Sequence, residues 1–484
     1  MPDSDAVEVS AEVVSRLREI VGAENVLNDP ADLMVYECDA YTLEKKLPGA
    51  VVLPASTEEV AAVVKLCAEE KLPVIPRGAG TSLSGTVLAV TGGVMVGLSR
   101  MNVIEDVDYR NRRALVQAGV VNAWITQRVK GRGLLYAPDP SSQPACTIGG
   151  NVGTNSGGPH TLKYGVTTNH ILGFEMVLPD GEIVWLGSDA ESGDDVDGYD
   201  LRGGVIGSEG MFGIVTRVLV GLIRAPKVYK TMLGVFESVD AASQTVSDII
   251  GAGIVPGALE MMDQLITGAI EEAYHFGFPL DAGALLIVEL DGLDAGMGEQ
   301  VERVMEICRS NGAREVRLAK SEQERADLWK CRKRAFGAIG RLSPSYLTQD
   351  GVVPRSKLPE IMQFILATSR KYGLRIPNVF HAGDGNIHPL ILFDDRIPEE
   401  VTKAVKAGED ILEKCVELGG SVTGEHGIGI EKVSFMARQF SAETLDVMMS
   451  LRDVFDPERR FNPHKMFPGG KRCSEFVPKK QIAA

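Results

Sequence analysis

At 484 residues, with 44% apolar and 24% charged side chains, the chain is long enough for two or three domains with full cores and has an ordinary globular make-up. Lysine and arginine number 50 against 66 acids, a net charge of −16 that argues against nucleic acid or an anionic membrane surface as partner. The seven cysteines (Cys38, Cys67, Cys146, Cys308, Cys331, Cys415, Cys473) are scattered, without a Cys-x-x-Cys pair. They read as free thiols of a reducing compartment, mostly core fillers, and exclude an iron–sulfur cluster held by this chain alone.

Met1-Pro2-Asp3-Ser4-Asp5 lacks the basic and apolar regions of a signal peptide, and no run reaches transmembrane length. The expectation is a cytoplasmic protein, membrane-associated at most through partner subunits. Val13, Val14, Leu17, Ile20 and Val21 recur at helical spacing and predict a lead-in helix over 10–22. Ala50 to Leu53 reads as a strand, and Ser56 with Glu59 as a capping box opening a helix that buries Val60, Val63, Val64 and Cys67. A strand from Leu72 to Ile75 runs into Pro76-Arg77-Gly78-Ala79-Gly80-Thr81-Ser82-Leu83-Ser84-Gly85. Its glycines would let backbone N–H groups converge on an anion, but no helix pattern follows, so the dinucleotide fingerprint is missing. A plain turn remains the alternative.

After strands and a helix between Arg113 and Lys130, six glycines fall in the 17 residues from Gly149 to Gly165. This stretch predicts a long structured loop wrapping an extended ligand. Gly207 to Thr216 repeats the theme before an apolar strand returns to the core. Beyond Pro226, strands at Met232–Phe236, Ala258–Met262, Leu285–Leu290 and Glu315–Leu318 alternate with helices near 240–250, 264–275 and 300–310, which predicts an α+β second domain. Ser321 and Glu324 cap a helix carrying Trp329, Arg332 and Arg334, and a long helix runs from about Pro398 to Leu418. The tail from Phe461 is too short for a domain and is expected to pack back on the first.

The stretch from His381 to Pro389 carries the chemistry. Asp384-Gly385 between apolar residues predicts a two-residue hairpin with Gly383 facing Asn386, Ala382 facing Ile387 and His381 facing His388. The two imidazoles would form a cross-strand pair with Cβ atoms roughly 4.5–5.5 Å apart, a chelating distance. In Thr423-Gly424-Glu425-His426-Gly427, Glu425 would complete a two-His, one-carboxylate set for Zn, Mn or Fe, leaving His426 as general base. Turn and core histidines without a ligand are the alternative.

These segments, in this order, resemble the FAD-linked 2-hydroxyacid dehydrogenases, which share the vanillyl-alcohol-oxidase flavin fold; among them the chain looks most like flavin subunits of bacterial glycolate oxidases. The resemblance implies an FAD domain of PCMH type over 1–225, an α+β cap domain over 226–435 and a segment returning to the FAD domain over 436–484. It implies non-covalent FAD, since Thr81 stands where some relatives carry the linking histidine. Pro76, Arg77, Gly78, Ala79, Gly80, Thr81, Ser82 and Gly85 would hold the pyrophosphate. Pro138, Asp139, Ser141, Thr147, Gly150, Asn151, Thr154, Asn155, Gly157, Gly158, Tyr164, Gly165, Glu209, Gly210, Gly213, Ile214 and Val215 would line the flavin, with Asn462 and Lys465 closing the site.

By the same resemblance His381, His388 and Glu425 match metal ligands, His426 the base, and Arg332 an arginine that grips the substrate carboxylate. Read from the residues alone, Arg332-Lys333-Arg334 is a solvated helix face. Phe336 and Thr348 replace the threonine and lysine of relatives specialised for 2-hydroxyglutarate, which suits a small substrate. The expected reaction is oxidation of glycolate to glyoxylate by hydride transfer to flavin N5, with electrons passing to an iron–sulfur subunit, a quinone or an electron-transfer flavoprotein. Rivals are a D-lactate dehydrogenase, a metal-dependent hydrolase without flavin, and a non-catalytic flavin-holding subunit.

Overall fold

Ser10 caps the first helix, Ala11–Val21, and Ser56 caps Thr57–Glu69, accepting from the Glu59 N–H while the Glu59 carboxylate accepts from the Ala55 N–H. The computed structural model describes residues 7–194 and 198–468; Cys473 and the Met1–Asp5 stretch lie outside them. The chain divides into two units, the first comprising residues up to Ser156, Val166–Arg224 and the chain from Glu425, the second Gly157–Gly165 and Ala225–Gly424. No helix among the described residues is long and apolar enough to cross a membrane.

In the first unit, Ala50–Val52, Val94–Gly97 and Val74–Arg77 form a parallel sheet, with Val26–Leu27 added antiparallel at one edge. Valines dominate these short strands and nearly every position is buried, as parallel strands covered on both faces require. A second, antiparallel sheet runs in the order Ile104–Asp108, Arg113–Gln117, Ile214–Gly221, Ile171–Val177, Ile183–Gly187. The tail does return to this unit: the Phe461 position bridges Val74, and the Asn462 N–H donates to the Val74 carbonyl.

The predicted loop from Gly149 is instead a short helix, Ile148–Thr154, followed by a single turn, Thr161–Tyr164. Here Gly149 serves close packing, since a Cβ on it would sit 2.8 Å from the Ala118 Cβ. Among the described residues the cysteines are free thiols, five of them buried and Cys38 partly so.

The second unit holds a seven-stranded sheet in the order Ala313–Leu318, Val228–Phe236, Ala284–Gly292, Ala258–Asp263, Val379–His381, Asn386–Ile387, Gly351–Val352. The helix Glu322–Ile339 is capped by Ser321 as expected and packs Leu328, Cys331, Ala335 and Ile339 into an apolar core with Leu233, Met262 and Ile287. Register places Thr231 and Ala258 opposite Glu289, and Ile287 opposite Glu260, so both glutamates share one face of the sheet. Glu289 has no exposure and accepts from Thr231 Oγ1 at 2.5 Å, Arg325 Nε and Nη2 at 2.8 and 2.9 Å, and Trp329 Nε1 at 2.7 Å.

The expected boundaries shift at two places. Residues 157–165 join the second unit because Lys163 and Tyr164 both donate to Asp291, two positions beyond Glu289, while His160 stacks on Trp329 with ring centroids 5.3 Å apart. Glu425 onward joins the first unit rather than the second, since Ile428 and Gly429 donate their N–H groups to the Glu209 carboxylate at 2.6 and 2.9 Å.

Burial alone would raise the Glu289 carboxyl, but hydrogen bonds from His160, Arg325 and Thr231 and the Arg325 charge pull it from 4.5 down to about 2. A carboxylate held below its unfolded value adds stability that is complete above that value and lost as pH falls through the folded one. Glu289→Gln should therefore melt lower than wild type at neutral pH, by roughly 1–3 kcal/mol of stability. Circular dichroism melts should show the gap closing between about pH 5 and about pH 2; a constant gap would contradict this.

Candidate functional site

The predicted hairpin forms, but with a different register. His381 pairs with Asn386 instead of His388, leaving Ala382 to Gly385 as a four-residue loop. A two-residue primed turn needs positive φ at both Asp384 and Gly385, whereas among these two only Gly385 has it (φ 81). The Asp384 side chain instead accepts from the Asn386 N–H at 3.1 Å, and the Ala382 N–H donates to the Leu259 carbonyl, extending the ladder with the neighbouring strand.

The histidines still meet, because a shift of two residues preserves the face. His388 becomes the diagonal neighbour of His381, and such neighbours are within reach of aromatic side chains. The rings lie edge to face with centroids 5.2 Å apart, and each brings a ring nitrogen within 4.8 Å of one on the other.

Each imidazole has a buried carboxylate beside it that the sequence reading missed. Glu260, directly opposite His381 on the adjacent strand, accepts from His381 Nδ1 at 2.7 Å. Asp350 lies 3.5 Å from His388 Nε2 and accepts from Thr423 Oγ1 at 2.6 Å and the Gly424 N–H at 3.0 Å. The signal for Glu260 was present: one carboxylate in the apolar run Ala258-Leu259-Glu260-Met261-Met262 has to be paired if the strand is central.

Arg332 is no solvated side chain. It is 2% exposed, donates through Nε to Glu260 Oε2 at 2.5 Å, and its Nη2 has no hydrogen-bond partner among the described residues. Of Arg332, Lys333 and Arg334, only the last two are exposed. Arg332 and His381 together hold the Glu260 carboxyl below its usual range, although burial would raise it.

Glu425 and His426 stand at the start of the first unit's last segment, with Oε1 and Nε2 3.9 Å apart, and the His426 carbonyl accepts from Ser84 Oγ at 2.8 Å.

Within the first unit, a cleft opens between the glycine segments. Of the expected cofactor residues, Pro76, Arg77, Gly78, Gly150, Thr154, Glu209, Gly210, Gly213, Ile214 and Val215 line it, joined by Thr86, Val87, Leu98 and Ser208, which were not anticipated. Glycines keep the cleft open: a Cβ on Gly78 would fall 2.5 Å from Thr147 Oγ1, and one on Gly210 would fall 3.0 Å from the Pro76 ring. Thr147 Oγ1, next to Gly78, is buried with no hydrogen-bond partner among the described residues.

Burial pushes Glu209 up to about 7 despite the donors Ile428 and Gly429, and lowers Lys465 to about 8. Asn462 donates to the Thr86 and Glu209 carbonyls, and Lys465 to the Leu88 carbonyl at 2.6 Å, so both are struts of the loops around the cleft.

Other expected contacts lie elsewhere. Ala79, Gly80, Thr81, Ser82 and Gly85 are not cleft-lining; Arg77 folds back over Gly80 and donates to the Cys38 carbonyl. The Asn151 amide is spent inside the fold on Asn122 and Ser156, and Asn122 also donates to the Pro138 carbonyl. Asn155 accepts from the Thr168 N–H, and Ser141 is exposed beside the partly buried Asp139. Gly157, Gly158, Tyr164 and Gly165 belong to the second unit.

Comparison with known proteins joins the two halves. The model of FAD linked oxidases, C-terminal domain, matches residues 225–466, and that of the FAD binding domain matches residues 48–187. The glycolate oxidase subunit GlcD of Escherichia coli (strain K12) is 46% identical over 476 residues, 98% of this chain and 94% of that protein. The D-lactate dehydrogenase of Anaerostipes hadrus is 33% identical over 467 residues, 95% of this chain and 98% of that one. The crystal structure of p-cresol methylhydroxylase matches with a TM-score of 0.80 at 18% identity, over 94% of this chain and 96% of that one, a likeness of fold.

Gly78→Val would press a branched side chain on Thr147 and into the cleft. The purified variant should keep its circular dichroism spectrum yet lose at least about ten-fold in flavin content, read from visible absorbance; full flavin occupancy would show that the cleft is not the cofactor's seat.

Proposed function

The chain belongs to the FAD-linked oxidases and is an FAD-dependent 2-hydroxyacid oxidoreductase of the vanillyl-alcohol-oxidase flavin fold, and from that premise we propose that its substrate is glycolate, oxidised to glyoxylate. The observation that carries the substrate class is Arg332, a buried guanidinium with Nε spent on Glu260 and Nη2 left for a ligand. A planar fork with a free edge suits a carboxylate. Glycolate itself is favoured by the 46% identity to a glycolate oxidase subunit over almost the whole chain. A small acid also fits Phe336, which packs against the apolar core and stands where, by the resemblance, relatives specialised for 2-hydroxyglutarate carry a threonine.

In this reading the glycine cleft holds FAD, while His381, His388 and Glu425 hold one divalent cation, Zn, Mn or Fe. Two imidazoles, each with a carboxylate beside it, match the donor chemistry of such an ion and the outer support that fixes a ligand tautomer. Bound FAD supplies a two-electron acceptor, and a bound cation makes the substrate hydroxyl more acidic. Arg332 orients the substrate through its carboxylate. His426 takes the hydroxyl proton.

Electrons then leave through a partner or acceptor, for which an iron–sulfur subunit, a quinone or an electron-transfer flavoprotein are the candidates. That the Escherichia coli relative is named as a subunit supports a partner. D-lactate is the second reading, favoured by the 33% identity to a D-lactate dehydrogenase along nearly the full chain.

The test is an anaerobic titration of the purified, flavin-loaded chain with 2-hydroxy acids, watching flavin bleaching. Glycolate should bleach it at lower concentration than D-lactate; the reverse order would favour the second reading, and bleaching by no 2-hydroxy acid would overturn both. In the same assay His426→Ala should stay yellow and folded while bleaching about 10²–10⁴-fold more slowly, the usual worth of a general base.

A further inference from the structure

The two oxygens of Glu260 are divided between two tasks. Oε1 receives the Nδ1 hydrogen bond of His381 at 2.7 Å, and Oε2 receives Arg332 Nε at 2.5 Å. Glu260 has no exposure, Arg332 is 2% exposed and His381 3%, so none of the three is softened by water. All three rest on regular elements: Glu260 and His381 are register partners on adjacent strands, and Arg332 projects from the helix Glu322–Ile339. An ionised carboxylate accepts only, so His381 must carry its proton on Nδ1, leaving the Nε2 lone pair for a cation. The guanidinium, held by its Nε edge, presents a buried Nη2 with no hydrogen-bond partner among the described residues.

We propose that Glu260 is a positioning residue that sets the distance between the cation-holding imidazole and the carboxylate-gripping guanidinium, and thereby selects acids whose hydroxyl and carboxylate sit on adjacent carbons. The inference rests on the 2-hydroxyacid reading above and deepens it. A substrate bridging both points must match a spacing fixed by one rigid four-atom group. An acid with its hydroxyl one carbon further away is a different length. Spacings of this kind decide reactivity, because small misplacements of a reacting group cost large factors in rate.

The test uses the flavin-loaded full chain in three forms: wild type, Glu260→Gln and Glu289→Gln. Gln keeps the shape of Glu260 but removes its charge and half of its accepting capacity, so the variant should fold. Glu289→Gln loosens the same helix through Arg325 and Trp329 without touching His381 or Arg332, and so reports any loss that mere helix docking would cause.

Two quantities are read. The first is the dissociation constant for Zn²⁺ or Mn²⁺, by competition with a chromogenic chelator, which needs no turnover. The second is the ratio of kcat/KM for glycolate over 3-hydroxypropanoate. Glu260→Gln should weaken metal binding about 10–100-fold, the usual effect of removing a carboxylate behind a ligating histidine, and lower the ratio at least ten-fold. Glu289→Gln should leave both within two-fold of wild type.

Wild-type values of both in Glu260→Gln would overturn the proposal. So would equal losses in Glu289→Gln, which would reduce Glu260 to a docking residue. If wild type turns over no 2-hydroxy acid, the underlying functional reading fails, and the selectivity part falls with it, whereas the metal arm still reports on the Glu260–His381 contact.

Discussion

Two fully buried carboxylates on one face of the second unit's sheet, Glu260 and Glu289, impose the constraint from which the rest follows. A charge taken out of water has to be paired and hydrogen-bonded or it would neutralise or unfold its surroundings. One helix answers both: Arg325, Trp329 and Arg332 fall at i, i+4 and i+7, one stripe of the helix, and all donate into the pair. The remaining acceptor sites of Glu289 take Thr231, and those of Glu260 take His381. The stripe thus fixes helix to sheet and, in the same contacts, fixes the guanidinium and the imidazole that the proposed chemistry uses.

The first unit solves a different problem with different means. A flat, extended cofactor needs backbone walls, and the segments at Gly78 and Gly210 supply them by lacking side chains where a Cβ would crowd Thr147 or Pro76. Their positions are held by buried polar struts. Glu209 at positive φ receives two N–H groups from the last segment, and Asn462 and Lys465 donate to carbonyls of the loops that follow the first glycine run. The cofactor cleft is therefore carried by the first unit, and in the proposed function the second unit selects the substrate.

Much of this was legible in the sequence because it depends on local rules. Capping boxes at Ser56 and Ser321 started helices where expected, and apolar alternation located the second unit's strands. The His381–His388 proximity was readable although the register was not, since a slip of two residues changes the partners but not the face. What failed depends on contacts distant in sequence. The helix that the glycine run forms packs Gly149 on Ala118, and Arg332 leaves solvent to pair with Glu260, 72 positions earlier. The unit boundaries shifted for the same reason, through Asp291 with Lys163 and Glu209 with Gly429. No spacing rule encodes such partners; the lone glutamate in an apolar strand was the one hint.

The central claim is that a buried carboxylate holds His381 with its proton on Nδ1. A ¹H–¹⁵N spectrum of the histidine-labelled, flavin-loaded protein reads it directly. The account predicts a His381 Nδ1 proton far downfield, slow to exchange with water, and absent from Glu260→Gln; a His381 ring carrying its proton on Nε2, or exchanging as fast as an exposed imidazole, would contradict it.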